Sequence, residues 1–217
     1  MEASLPFVDR VIEYTPHDKV VIERTLSLKE DLFLKDHAFI PCPDHIKPAE
    51  ERFPTVPMAV SLEIIAQAAK MLFPDKDVTG FLNIKNSSWI PLDNDNPSLV
   101  LTVTAKQSLD ESGKKTAVCK IESKLDPDTP HVTGIVIMGN PGDDRKFYDN
   151  SDIGESKPCT LDPESLYRPG GLYHGPCFQG LYSLERAGKG GIDGILTAPD
   201  ITGFFKNRKP DAVLCAP

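Results

Sequence analysis

The run at 58–73, Met-Ala-Val-Ser-Leu-Glu-Ile-Ile-Ala-Gln-Ala-Ala-Lys-Met-Leu-Phe, constrains the fold more than any other part of the chain. Its polar residues Glu63, Gln67 and Lys70 recur at i, i+4 and i+7, a single narrow stripe along a helix, and apolar residues fill the rest of the circumference. A surface helix hides one face, whereas this one must be enclosed on most sides. At 1.5 Å per residue it is a rod of about 24 Å, a length that several strands of a curved sheet can grasp. Pro57 suits its first turn, because proline pre-sets the helical φ where no N–H is needed. Glu63, Gln67 and Lys70 interrupt it before it reaches the ~18–20 apolar residues that span a bilayer.

The strands to grasp it are legible as runs of β-branched residues at 20–26, 99–105, 116–122 and 132–138. Leu101, Val103 and Ala105 alternate with Thr102, Thr104 and Lys106, the period of an antiparallel sheet with one dry face. Residues 111–114 read as a hairpin loop. One buried helix in an antiparallel sheet is an α+β hotdog arrangement, expected over 1–140. The polar, acidic, turn-rich stretch at 141–163 reads as a linker. Residues 164–217 then read as the start of a second hotdog, with strands at 180–186 and 191–197 joined through 187–190. They contain no counterpart of the 58–73 helix, so the second hotdog is expected to be truncated. Leu181, Leu184, Ile192, Ile195 and Leu196 are then expected to need a covering chain or to be poorly ordered.

Composition narrows the function. The 217 residues carry a net charge of -8 and a pI near 5.1, which argues against nucleic acid and anionic membranes as partners, since both select excess Lys and Arg. The start, Met1-Glu2-Ala3-Ser4-Leu5, lacks the basic and apolar regions of a signal peptide, so a cytoplasmic location is expected. Cys42, Cys119, Cys159, Cys177 and Cys215 are scattered without a C-x-x-C pair and read as free thiols. His37 and His45, with Asp44 between, lack a third ligand at fixed spacing, and no metal is expected.

Two further segments carry chemistry. Asp36-His37-Ala38-Phe39 precedes the helix, separated from it by a segment ending in Pro54-Thr55-Val56-Pro57; a histidine held against a buried helix is either a structural residue or a base shielded from water. Far downstream lies Tyr173-His174-Gly175-Pro176-Cys177-Phe178-Gln179-Gly180. The first segment, with Val56 to Glu63, resembles the His-x-x-x-Gly-x-x-x-x-Pro region of polyketide synthase dehydratase domains. The second is similar to their Tyr-Gly-Pro-x-Phe motif, in the His-Gly-Pro-x-Phe-Gln form of iterative synthases for polyunsaturated fatty acids and enediynes. The chain departs from the pattern in the longer spacing from His37 to Pro57, in Pro41 at the glycine position, and in Met58 where glycine often follows the proline.

The resemblance implies a double hotdog that converts 3-hydroxyacyl thioesters to 2-enoyl thioesters. It implies no cofactor beyond the phosphopantetheine of an acyl carrier protein that carries the substrate. Expected partners are that carrier and the other domains of a parent synthase, and a homodimer is left open. The basic group Lys206, Arg208 and Lys209 reads either as a solvated loop or as a contact for the carrier. His37 would be the catalytic base, with Pro57, Met58, His174, Gly175 and Pro176 around the substrate. The catalytic acid of such domains is an aspartate opening the second helix; that position is expected beyond Pro217, and Asp211 is the nearest substitute. Two other readings keep the fold: an inactive domain serving as spacer or docking surface, and a thioesterase using Glu63 to activate water.

The chemistry asks for these groups. A histidine titrating near neutrality can remove the proton beside the thioester, a carboxylic acid can protonate the departing hydroxyl, and a single histidine can do both in turn. The unpaired N–H groups at a helix start can stabilise the charge that grows on the thioester oxygen.

Overall fold

The alternating run around Leu101 becomes the centre of a six-stranded sheet in the structure, a computed structural model that describes residues 5–39, 53–93, 95–110, 113–140, 153–168, 171–172, 174–198 and 200–208. Among the described residues the strands are β1 (Arg10–Thr15), β2 (Lys19–Ser27), β3 (Ala38–Phe39), β4 (Phe53–Pro54), β5 (Asp77–Asn86), β6 (Ser98–Leu109), β7 (Lys115–Ser123), β8 (Val132–Gly139), β9 (Ser156–Pro158), β10 (Leu181–Gly188) and β11 (Gly191–Leu196), with one α-helix, α1 (Met58–Leu72). The large sheet has the order β1-β2-β6-β7-β8-β5 and every pair in it is antiparallel. The register of β2 on β6 runs unbroken from Lys19↔Lys106 to Ser27↔Ser98, and that of β6 on β7 from Leu101↔Ser123 to Leu109↔Lys115. An unbroken register keeps every second side chain on the same face.

That face holds Val20, Ile22, Leu26, Leu101, Val103, Ala105, Ala117, Cys119, Ile121, Val132 and Val136, all buried against Ile64, Ile65, Ala68, Ala69 and Leu72 of α1. Each fully buried Ile or Leu contributes about 1.5–3 kcal/mol, so this interface accounts for much of the stability. The chain is an α+β protein with the hotdog arrangement. The polar stripe of α1 does not face water either: Gln67 donates to Glu63 Oε1 at 2.6 Å and accepts from the Phe7 N–H at 2.8 Å. The N-terminal segment thereby closes the side of the helix that the sheet leaves open. Only Lys70, bonded to the Lys76 carbonyl and 3.3 Å from Asp77, reaches the surface.

A second closing piece comes from the far end of the chain. Phe204 and Phe205 pack into a ring cluster with Phe7 and Phe33, with centroids 5.3 Å apart for Phe7 and Phe205 and 6.0 Å for Phe33 and Phe205. Beside it lies a buried ion group: Arg24 pairs with Asp31 and, at 3.2 Å, with Asp9. Asp31 also accepts the Ser27 N–H at 2.7 Å and Asp9 the Thr25 N–H at 2.6 Å, while Arg208 bonds Asp9 and donates to the Pro6 carbonyl at 2.6 Å. Burial pushes the Asp31 carboxyl above its usual range even with Arg24 pulling the other way.

The remaining strands form a small sheet of order β11-β10-β9. Its β9 lies within the stretch that composition marks as a linker. Tyr182, Ile192, Ile195 and Leu196 are exposed on it, while Leu181 and Leu184 are half-buried. Among the described residues no helix is long and apolar enough to cross a membrane.

Candidate functional site

His37 sits where a 3-10 turn over Leu32–Asp36 hands the chain to β3. Short β3 pairs with β4 through Ala38↔Pro54 and Phe39↔Phe53, and the Thr55 N–H donates to the His37 carbonyl at 3.0 Å. This ladder brings the Thr55 carbonyl to 2.8 Å from His37 Nδ1. A carbonyl oxygen can only accept, so in the neutral ring Nδ1 carries the hydrogen and Nε2 keeps its lone pair. The ring is thereby fixed in the tautomer a base needs.

The two sequence segments meet here. His37 and His174 form an antiparallel bridge with ring centroids 5.7 Å apart, and the Phe178 ring lies 6.1 Å from His37. The Gly175 N–H donates to the Asp36 carbonyl at 2.7 Å, and the Cys177 N–H to Asp36 Oδ2 at 2.8 Å. Glycine is needed at 175 because a Cβ there would stand 2.4 Å from Asp36 Oδ1 and 2.8 Å from Asp36 Cα. Asp36 therefore clamps the 3-10 turn over Pro176–Phe178 against the His37 loop. Burial, and then the neighbouring His37, lower the pKa of His174; burial and the Asp36 carboxylate push the Cys177 thiol up to about 12.

A cavity of about 200 Å³ opens in front of His37. His37, Phe39, Thr55, Val56, Met58 and Ser61 line it from the β3, β4 and α1 side, and Asn86, Ser88, Trp89, Ile90 and Val132 from the ends of β5 and β8. The first turn of α1 contributes to its wall, and Pro57, the N-cap of that helix, makes no side-chain cap bond. The early N–H groups of the helix and its dipole are thus available to a growing negative charge.

Of the residues expected around the substrate, Met58 lines the cavity and Pro57 starts the helix beside it. His174, Gly175 and Pro176 buttress His37 and are not among the lining residues. Asp211 and Tyr173, with His45 and Asp44 of the metal reading, lie outside the described residues. Among the described residues no three His, Cys, Asp or Glu side chains cluster in a way that could hold a metal, and Cys119, Cys159 and Cys177 are free. Glu63 is buried, bonded to Gln67, and absent from the cavity wall. Of the basic group, Arg208 is taken up by Asp9 and the Pro6 carbonyl.

The sequence reading missed Thr55, which acts through its backbone and leaves no mark on residue type, and the polar wall of Asn86 and Ser88. Ser88 Oγ lies 2.7 Å from Nδ1 of buried His131, whose Nε2 is 2.7 Å from Ser123 Oγ.

Comparison with solved structures bears on the fold. The dehydratase domain from the CurF module of the curacin polyketide synthase superposes with a TM-score of 0.64 at 16% identity, covering 92% of this chain and 68% of that one. The chain has the fold of these dehydratase domains. A trans-AT polyketide synthase dehydratase domain from Brevibacillus brevis gives a TM-score of 0.59 at 17% identity over the same shares, 92% and 68%. The dehydratase domain of the polyketide PpsC from Mycobacterium tuberculosis gives 0.53 at 22% identity, covering 84% of this chain and 59% of that one. The chain thus spans 59 to 68% of the length of these domains. No protein-family model matches the sequence, and no curated protein matches it.

Proposed function

We propose that the chain dehydrates 3-hydroxyacyl thioesters, carried on the phosphopantetheine of an acyl carrier protein, to 2-enoyl thioesters, as part of a polyketide or fatty-acid synthase in the cytoplasm. The observation that carries this reading is the His37 ring, fixed through Nδ1 to the Thr55 carbonyl on the wall of a cavity that includes the first turn of α1. His37 Nε2 takes the proton from the carbon beside the thioester, and the thioester oxygen gathers charge against the N–H groups of the α1 start. As the double bond forms, the C–O bond of the 3-hydroxyl breaks and the oxygen leaves as water. Its proton comes from His37 in a single-base scheme, or from a carboxylic acid outside the described residues, with Asp211 the candidate in this chain. The likeness of fold to polyketide synthase dehydratase domains supports the reaction class.

The test is to assay the full chain with a 3-hydroxyacyl pantetheine thioester and to follow the 2-enoyl product. His37→Ala is expected to lower turnover by roughly 10²–10⁴-fold, the usual contribution of a general base. Free acid as the product would replace this reading with the thioesterase, although Glu63 is engaged with Gln67 away from the cavity. No product from a folded chain would point to the docking role, and an unchanged rate in His37→Ala would remove His37 from the mechanism.

A further inference from the structure

Most of the cavity wall is apolar, formed by Phe39, Val56, Met58, Trp89, Ile90 and Val132. The ends of β5 and β8 break that pattern. Ser88 lines the cavity with its hydroxyl against Nδ1 of His131, a residue 1% exposed. The other nitrogen, Nε2, faces Ser123 Oγ, which also accepts the Leu125 N–H at 3.1 Å. Burial lowers the pKa of His131 and the Asp126 charge only partly offsets it, so the ring is neutral near pH 7. A neutral imidazole has one N–H and one lone pair, so one serine donates to it and the other accepts. Under either tautomer the Ser88 hydroxyl spends one of its three hydrogen-bonding positions on the ring and keeps others. Asn86, on the same wall, has only acceptors on one side of its amide, the carbonyls of His131 at 3.1 Å and Ser88 at 2.8 Å, which assigns its nitrogen to that side.

A plain alkyl chain in this cavity would strip water from Ser88 and Asn86 and return nothing, and a polar group left without a partner is costly. A hydroxyl on the chain, which can donate or accept, would restore the lost bond under either tautomer. The cavity, at about 200 Å³, is also smaller than the roughly 300–1,000 Å³ of drug-sized ligand sites, which fits a short acyl chain. We infer that Ser88, positioned by His131, reads a hydroxyl on the acyl chain, so that the cavity takes short thioesters bearing a further hydroxyl group beyond the reacting carbons in preference to unsubstituted chains. The inference rests on the reading of this cavity as a 3-hydroxyacyl thioester site.

Binding is the deciding measurement, so that it can be separated from catalysis. The His37→Ala chain is titrated calorimetrically with S-(3,5-dihydroxyhexanoyl)pantetheine and with S-(3-hydroxyhexanoyl)pantetheine. The dihydroxy thioester is expected to bind about 10-fold tighter, the value of one good hydrogen bond. Adding Ser88→Ala is expected to bring the ratio close to one, and Ser88→Thr, which keeps the hydroxyl, to preserve most of it. Equal affinities with Ser88 in place, or a preference that survives Ser88→Ala, would overturn the inference. If His37→Ala is unfolded by circular dichroism, the ratio of kcat/KM for the two thioesters in wild type and Ser88→Ala decides in the same way. A preference in binding with no turnover by the wild-type chain would sink the dehydration reading and support the substrate reading.

Discussion

The two sheets are built from the same antiparallel pairing and end in opposite states of burial. In the large sheet β6, β7 and β8 bury every second residue against α1, and β6 pairs with both β2 and β7 without a slip. In the small sheet the β10–β11 register shifts between Leu181 and Ser183 and again between Leu184 and Arg186, and Tyr182, Ile192, Ile195 and Leu196 stand exposed. Register is strongly specified only where one face has something to be buried against. What separates the sheets is the helix, whose apolar surface turns alternation in the strands into a fixed alignment. The candidate site joins the two regimes: His37 hangs from the well-packed half, and its buttress, His174 to Phe178, leads into β10.

The comparison breaks first if the buried ion group contributes little to stability. Asp31→Asn would leave the buried Arg24 with only the more exposed Asp9 as counter-charge. It is expected to cost on the order of 3 kcal/mol in denaturant unfolding of the full chain; a change under about 1 kcal/mol would mean that water reaches Arg24. Ile64→Ala, at the middle of the α1 interface, is expected to cost about 2–5 kcal/mol. Ile192→Ala on the small sheet is its control and should stay within about 0.5 kcal/mol. Comparable losses at the two positions would show that another surface covers the small sheet.

Gly175→Ala tests the clamp between the halves. A methyl group 2.4 Å from Asp36 Oδ1 must push the two loops apart, with an expected cost of about 1–3 kcal/mol and a loss of turnover as large as any displacement of His37 it causes. Asp36→Ala in the same background should relieve part of the strain, and a double-mutant cycle reads the coupling. The smallest effect is in pH. Burial lowers the pKa of His131, and burial followed by the charge of His37 lowers that of His174. The unfolded chain therefore binds more protons than the folded one between the ordinary histidine value near 6.5 and the lowered values. Stability should be flat from that range up to the onset of thiol ionisation and fall as pH drops through it. His131→Gln should make the fall shallower, and an unchanged slope would show that His131 is not the group responsible.

The helix and the four β-branched strands were legible because each carries a strong period against one partner. The edge strand β1 was not, since all six of its residues are exposed and nothing forces them to alternate. Nor was β5, where Asn83 adopts φ +53° and the pairing with β8 shifts between Val78 and Gly80 and again between Leu82 and Lys85, which scrambles the alternation. At the site, the pairing of Asp36-His37 with His174-Gly175-Pro176 was legible as two ordered segments, but the reason for it was not. Asp36 holds the second segment partly through backbone groups, and Thr55 orients His37 entirely through one. Ser88 and His131 lie 43 residues apart, joined only by the sheet.

The return of residues 204–208 onto the start of the chain has a consequence in time. Arg208 reaches the Pro6 carbonyl across 202 positions, and Phe205 pairs with Asp31. On a ribosome adding about 5–20 residues per second, Phe7 and Phe33 emerge roughly 10–40 s before the residues that cover them. The large sheet can close on its helix during that interval while one end of its core stays open, an aromatic surface edged by Asp9 and Asp31 with Arg24 but not yet Arg208 between them. The growing chain is therefore most open to aggregation, and most in need of a chaperone, just before its last described residues arrive.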